Sequence, residues 1–530
     1  MNWKILEIDE REIALKYQVD PLCAKLLSAG QLSDDQIREL LDPDLRLTTS
    51  EADCVRKCAA RLLQAREKKE KVFVGGDYDA DGICATAIMK DLLDRLNIEN
   101  GYYIPNRFEE GYGLSPETVE RAAEKGYTLI LTVDNGVKAF AAVEKAHELG
   151  LEIYITDHHT IDTRPDADLI VHPDDMEPEY AYLSGAGVAL QISRTLLGDV
   201  PEHTALAAVA AIGDVMPLWR ETRKIVLAGV PLIHTLPVLP LKTLFRNGSR
   251  MDERAVAFEI VPKLNSAGRM NDLANVNTLV RYLLLKDPEQ ITRYALQLET
   301  VNDKRKELSA QMTERAEQLW TDDALPVIYE ESFHEGICGL AAGRLCEKFR
   351  RPVLVMARHG DEIKGSGRSV PGFDLYSFFA GFDGLTSFGG HEQAVGIGIR
   401  AEDLDQFRSQ VKQRMETMRI PQEQEEKLAI LIRREDLTFD YIASVQSLYP
   451  LPKELSELRF ALRGEQIREY QELKNIYKYK IDTPEGGLEA VAFPWQKLKR
   501  TPAPYLLIGM PNLNRWRNSV TKQLILDDIE

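Results

Sequence analysis

The stretch KVFVGGDYDADGICATAIM, Lys71 to Met89, sets three carboxylates two residues apart at Asp77, Asp79 and Asp81, with Gly82 directly after. Like charges this close repel one another, so a cation is their natural counterpart. Two more stretches repeat the theme where apolar runs end. YTLILTV delivers Asp134, Asn135 and Gly136, and LEIYIT delivers Asp157, His158 and His159. A helical stretch, TALAAVAAIG, ends at Asp214. Carboxylates in this number with two imidazoles suit a hard or borderline divalent cation, Mn2+ or Mg2+, with histidine favouring the softer ion. The count points to two ions rather than one, the clamp that serves in-line displacement at phosphorus.

Each motif alone has a blander reading. DYDADG matches the opening of an EF-hand loop, but position 12 of that loop is Ile88 where the loop needs Glu, and a strand precedes it where the loop needs a helix. A lone Asp after a strand is usually a turn or cap residue, and a histidine pair is often structural. What distinguishes this chain is that every cluster falls at the carboxyl end of an apolar run, where parallel α/β sheets bind their ligands.

Positioning them requires alternating strands and helices. KVFVGG, GYYIP, YTLILTV, LEIYIT and ADLIVHP read as short strands, with helical stretches such as ATAIMKDLLDRL and KAFAAVEKAHELG between them. That alternation implies a parallel sheet with crossover helices. Residues 1–70 read as a helical segment, with Ser33 an N-cap before Asp34 and Asp35. Residues 71–286 read as the catalytic domain, helical from about 184 onward, and 287–320 as a long charged linker helix. A second, smaller α/β domain follows at 321–420. From 425 to 530 short strands such as LAILIRR, IYKYKID and APYLLIG suggest a small barrel or sandwich.

The 530 residues carry a formal net charge of −18, which argues against nonspecific coating of nucleic acid but leaves room for a local basic channel. No run is long and apolar enough for a transmembrane helix, and the N-terminus lacks the apolar core of a signal peptide. Six cysteines without a CxxC pair read as reduced, buried thiols.

The motifs GGDYDADGICATA, LTVDNGV, TDHHT and AAIGDVMPL, in this order, resemble those of the DHH phosphoesterase superfamily. IKGSGRSVPGFDL and FGGHEQAVGIGI resemble the DHHA1 domain that accompanies it. YYIPNRFEEGYGLS, VPKLNSAGRM and HEGICGLAAGRLCEKFRRPVLVM are similar to the RecJ exonuclease family within that superfamily, and the resemblance spans nearly the whole chain. It implies a DHH parallel-sheet domain joined by a long helix to a smaller α/β DHHA1 domain, followed by an OB-fold-like β-barrel.

The resemblance also implies roles. Asp79, Asp81, Asp134, His158 and Asp214 are expected as metal ligands, with Asp134 bridging two Mn2+ ions, or Mg2+ as the alternative. Asp77 and Asp157 are expected as further ligands or as groups that orient them, Asp77 placed with the ligands and Asp157 behind them. His159 and Arg269 are expected at the scissile phosphate, and Arg107, Asn265, Ser366, Arg368 and His391 around the substrate. Arg515, Trp516, Arg517, Tyr477 and Tyr479 are candidates for gripping a strand. The implied activity is 5′→3′ exonucleolysis of single-stranded DNA to 5′-mononucleotides in recombination and repair. A cytoplasmic bacterial monomer is implied, with no membrane partner, working beside single-strand binding protein and a helicase. Two rivals are a DHH phosphodiesterase of short oligonucleotides or cyclic dinucleotides, which would not need the flanking regions, and a non-catalytic single-strand-binding replication scaffold, which would lack metal ligands.

Overall fold

The computed structural model describes residues 3–530 apart from 107–109, 112, 238, 246–250, 422–425, 465–466, 474–475, 494–495, 497, 499–505 and 517–518. Strand β1 (Trp3–Leu6) opens the chain. The next five strands are β2 (Lys71–Gly75), β3 (Glu99–Tyr103), β4 (Leu129–Val133), β5 (Glu152–Thr156) and β6 (Leu169–Val171). They form one sheet in the order β3-β2-β4-β5-β6, and every pairing is parallel. The five apolar runs read along the sequence are these five strands. All five residues of β4 are buried, because helices cover both faces of a parallel sheet and leave no side for alternation. The crossover helix Ala80–Arg95 is the most enclosed of these covers. Its small residues Ala85 and Ala87 are 0% exposed, and it packs against the helices Gly185–Leu197 and Pro201–Gly213.

The long helix expected at 287–320 runs from Pro288 to Gln318, started by the Asp287 carboxylate accepting from the Glu289 N–H. It leads to a second sheet. Strands β7 (Val327–Tyr329), β8 (Val353–His359), β9 (Glu362–Arg368), β10 (Leu385–His391) and β11 (Ala394–Arg400) lie in the order β10-β11-β9-β8-β7. Here β7 pairs with β8 in parallel, and the other pairings are antiparallel. One face packs on the helix Cys338–Phe349 through Ala341, Leu345 and Val355, and the other buries Phe378, Phe379 and Phe407.

The chain divides into two compact units, Met1–Thr48 with Pro217–Leu227 and Gln424–Glu530, and Thr49–Met216 with Ala228–Glu423. The first unit holds an eight-stranded sheet. Its later strands are β12 (Lys427–Ile432), β13 (Arg459–Arg463), β14 (Ile467–Leu473), β15 (Ile476–Thr483), β16 (Gly486–Ala492), β17 (Leu506–Trp516) and β18 (Ser519–Ile529). The order is β1-β12-β13-β17-β18-β16-β15-β14. The strand-rich C-terminal region is consistent with an OB-like barrel, although among the described residues no ladder closes β14 onto β1. The N-terminus departs from the helical reading of residues 1–70. Trp3–Leu6 is a strand, paired in parallel with β12 and tied by the Trp3 indole N–H to Asp528 at 2.8 Å. Four residues carry too little periodicity to declare a strand, and their partner lies more than 400 residues away. Residues 1–48 therefore belong with 424–530, and 49–70 with the unit of the parallel sheet. Ser33 does cap its helix, in a capping box with Gln36.

Candidate active site

The three loops after β2, β4 and β5 deliver the acidic residues to one edge of the parallel sheet. After β2 the chain turns into the helix Ala80–Arg95, and Asp79 is its N-cap, accepting from the N–H groups of Asp81 at 3.0 Å and Gly82 at 3.1 Å. Asp81, in the first turn, faces a second helix start. Its carboxylate accepts from the Ser184 hydroxyl at 3.0 Å and from the N–H groups of Gly185 at 2.7 Å and Ala186 at 2.8 Å. A carboxylate there complements the exposed N–H groups and dipole of the helix Gly185–Leu197. Gly185 lies so close to Asp134 that a Cβ would sit 2.5 Å from that residue's own Cβ. Ser184, Gly185 and Ala186 were not among the sequence candidates. The signal was a serine followed by the small run Gly-Ala-Gly, a helix start whose N–H groups are left bare.

Asp134 leaves β4 with φ of 60° and is 1% exposed. A non-glycine residue in the left-handed region costs about 1–3 kcal/mol unless its surroundings impose it, and Asp is among the types that tolerate it. His158 stands opposite. Its Nε2 lies 3.1 Å from Asp134 Oδ1 and 3.5 Å from both Asp81 Oδ2 and Asp214 Oδ2. Among the described residues, donor atoms within 4.8 Å of one another form three overlapping groups: Asp77 with Asp79 and Asp134; Asp134 with His158 and His159; and Asp81 with His158 and Asp214. Asp134 belongs to two of these groups, as a bridging carboxylate would.

Asp157 stands outside these groups. It is 1% exposed, and its Oδ1 accepts the backbone N–H of His158 at 2.8 Å and of His159 at 3.2 Å and meets His159 Nδ1 at 2.8 Å. Its Oδ2 accepts the N–H of Val137 at 3.1 Å. It holds the backbone of both histidines and the ring of His159. His172 supports the same loop, with Nε2 3.0 Å from the His159 carbonyl.

Burial and crowding shape the titration of this edge. Burial first, then the neighbouring carboxylates Asp81 and Asp79, push Asp134 well above the usual carboxylate range. Burial and Asp81 raise Asp79, and burial with Asp81 and Asp79 lifts Asp214 to about 7. Burial lowers His158, against the pull of Asp81, and keeps its ring neutral with a lone pair to give. Burial also opposes charge on His159, but the hydrogen bond and charge of Asp157 prevail and raise it to about 9. The buried Nε2 of His158 makes no hydrogen bond although three carboxylates face it. Crowded carboxylates around a neutral, unbonded imidazole nitrogen fit divalent cations and suit little else.

The remaining candidates lie around this edge. Asn265 is used internally, its Oδ1 accepting the N–H of Ala80 at 2.7 Å and so bracing the Asp79 loop. Arg269 ends the helix Val261–Arg269, half-buried. The turn before the helix Cys338–Phe349 passes so near the Arg269 carbonyl that a Cβ on Gly336 would overlap it. Ser366 and Arg368 lie on β9. In register, Ser366 pairs with Gly396, which pairs in turn with Gly389 on β10, and Arg368 pairs with Ala394, which pairs in turn with His391, so the two rows share one face. Gly339 opens the covering helix against them, where a Cβ would stand 3.1 Å from the Arg368 guanidinium. His391 is exposed at the rim. Arg107 and Arg517 lie outside the described residues, as does the side chain of Trp516. Tyr479 is 0% exposed and is a core residue of the C-terminal sheet, not a stacking platform.

Residues 71–213 match the DHH family, N-terminal domain, and residues 322–417 match the DHHA1 domain. The chain is 30% identical over 563 aligned positions to the single-stranded-DNA-specific exonuclease RecJ of Bacillus subtilis, covering 100% of this chain and 70% of that one. It is 32% identical to the RecJ of Escherichia coli over 440 positions, 76% of this chain and 75% of that one. The crystal structure of RecJ in complex with Mn2+ from Thermus thermophilus superposes with a TM-score of 0.84 at 26% identity, covering 100% of this chain and 79% of that one. The carboxylate edge is thus set in a chain whose whole length aligns with the Bacillus subtilis relative, and the chain belongs to the RecJ family of the DHH superfamily.

Proposed function

We propose that this chain is a metal-dependent exonuclease that degrades single-stranded DNA from the 5′ end and releases 5′-mononucleotides. The observation that carries the reading is the meeting of Asp77, Asp79, Asp81, Asp134, His158 and Asp214 in overlapping donor groups, with the unbonded His158 Nε2 facing Asp81, Asp134 and Asp214, in a chain whose relatives are named single-stranded-DNA-specific exonucleases. These six residues are the proposed ligands of two Mn2+ ions, with Mg2+ as the alternative. When bound, such a pair supplies Lewis-acid polarisation and an activated water.

The chain's own groups do the rest. Asp157 holds His159 with Nδ1 inward, so its cationic ring offers the other nitrogen to a phosphate oxygen. Arg269 adds a fork of donors where charge builds up on the phosphoryl oxygens. Asn265 keeps the Asp79 loop in place from behind, which is its role ahead of any contact with substrate. Ser366 and Arg368, with Arg107 and His391, are the proposed seat of the terminal phosphate, since arginine forks match phosphate geometry. The domains are proposed at 71–286, 321–420 and 425–530, with 287–320 as the joining helix. Action in DNA recombination and repair, beside single-strand binding protein and a helicase, as a cytoplasmic monomer, completes the reading. No helix among the described residues is long and apolar enough to cross a membrane.

The test is purified protein with Mn2+ and end-labelled DNA, single-stranded or blunt duplex. Mononucleotides released from the 5′ end of the single strand alone support the reading. Survival of long strands while dinucleotides or cyclic dinucleotides are cut would keep the metal centre and overturn the substrate.

A further inference from the structure

The helix Pro288–Gln318 buries one face, and that face carries polar groups its packing does not satisfy. Asn302 and Ser309 are 1% and 0% exposed, and Asn302 Oδ1 and Ser309 Oγ have no hydrogen-bond partner. Arg305 stands between them, three residues after one and four before the other, on the same stripe of the helix. Its neighbours Lys304 and Lys306 are paired with Glu307 and Asp303. Arg305 is half-buried, its Nε makes no hydrogen bond, and the charged group that acts on it is a second cation, Arg344. Arg344 comes from the helix Cys338–Phe349 and remains open to solvent. Its Nη1 reaches the Ser309 carbonyl at 3.3 Å and Thr313 Oγ1 at 3.5 Å, both marginal contacts.

Two guanidinium groups beside Ser309, Arg305 one turn before it on the helix and Arg344 reaching its carbonyl, one half-buried and neither offset by a carboxylate among the described residues, are costly unless an anion joins them. A tetrahedral oxyanion would accept from both forks and from the Ser309 hydroxyl. The Asn302 side chain, whose two amide atoms exchange by a simple flip, could donate as well. We propose that Arg305 and Arg344, with Ser309 and Asn302, form a phosphate-binding site where the long helix meets the second lobe. None of these residues belongs to the carboxylate edge or to the Ser366–Arg368 row. The ligand chemistry is a phosphate oxyanion, supplied either by a nucleic-acid backbone or by free phosphate.

The experiment uses the full chain in chelator, so that bound metal does not hold the anion, and follows Tm as inorganic phosphate replaces chloride at constant ionic strength. The wild type gains Tm with phosphate. Arg305→Met and Arg344→Gln lose most of that gain, whereas Arg368→Met retains a response. In phosphate-free buffer Arg305→Met is at least as stable as the wild type, because it removes an uncompensated buried charge. Salt titration of single-strand binding then separates the sources. A slope of log Kd against log salt reduced by about one for each arginine removed assigns the site to a backbone phosphate. An unchanged slope with the phosphate response lost assigns it to free phosphate. A phosphate response equal to wild type in both variants, or loss of folding by Arg305→Met in phosphate-free buffer, overturns the proposal. Because the first readout needs no catalysis, it fails independently of the nuclease reading.

Discussion

The edge of the parallel sheet and the Ser366–Arg368 face of the second sheet are built on opposite principles. At the first, acidic side chains are enclosed and held by several hydrogen bonds each: three on Asp81 and four on Asp157. At the second, basic and small residues lie on an antiparallel surface only partly covered by the helix Cys338–Phe349, with Ser366 and Arg368 half-buried, Arg368 donating to its own strand at Gly367 and His391 exposed. The difference teaches where precision is needed. Ions and a reacting phosphorus demand fixed geometry, and burial raises the strength of every charge there. Seating the end of a mobile strand asks for charge and clearance more than rigidity.

The sharpest break of the comparison is Asp134→Ala. Removing the carboxylate shared by two donor groups is expected to lower hydrolysis of a labelled single strand by on the order of 10³-fold or more, as for other groups that act as a unit. Residual activity within a few-fold of wild type would refute the bridging role. Next comes Arg368→Met on the second sheet. It is expected to reduce kcat/KM by roughly 10- to 100-fold, in the range of a lost charge-assisted contact. The loss should be mostly in KM and smaller on a strand bearing a 5′-hydroxyl. Equal losses on both ends would move Arg368 away from the terminal phosphate.

Metal removal probes the enclosed edge itself. Asp214 titrates near 7 in the folded chain and near 4 unfolded. The folded state therefore binds this proton more tightly, so stability is gained as pH falls through about 7 and lost as it rises. Chelated protein should show a Tm contribution from this group that climbs as the pH is lowered from about 7 toward about 4, with Mn2+-loaded protein showing a flatter profile. Parallel profiles would mean the crowded carboxylates do not drive the effect. The smallest change expected is from Ser184→Ala. It removes one of three donors to Asp81 and should cost about 0.5–2 kcal/mol in denaturant unfolding, as loss of an N-cap does. A fall in Mn2+ affinity far beyond that loss of stability would mean Ser184 tunes the ligand as well as the fold.

Much of this was legible in the chain. Short apolar runs mark β2 to β6, and the residues directly after a parallel strand must lie at its carboxyl edge, so Asp79, Asp134 and His158 could be placed together from local pattern alone. That Asp134 is shared between groups and Asp157 stands behind the histidines followed from the family resemblance, since spacing does not rank one carboxylate above another. One other assignment failed for a physical reason. Tyr479 looks like a platform because aromatic residues in strands point alternately to either face, and only the register of β15 with β16 turns it inward. For Asn265, expected at the substrate, local pattern also gives no sign that the Asp79 loop, 185 residues away, uses its oxygen.

The sequence by itself determined which backbone states these segments adopt and which side chains leave each strand at its carboxyl end. Neighbouring residues along the chain fix dihedral preferences and periodicity. The tertiary structure alone decided that β1 joins a strand more than 400 residues distant, that Asp81 meets the start of the helix Gly185–Leu197, and that Arg344 reaches the Ser309 carbonyl on the long helix. Those pairings depend on packing between segments whose separation leaves no trace in local composition. Burial and charge at a point in space are sums over such distant neighbours.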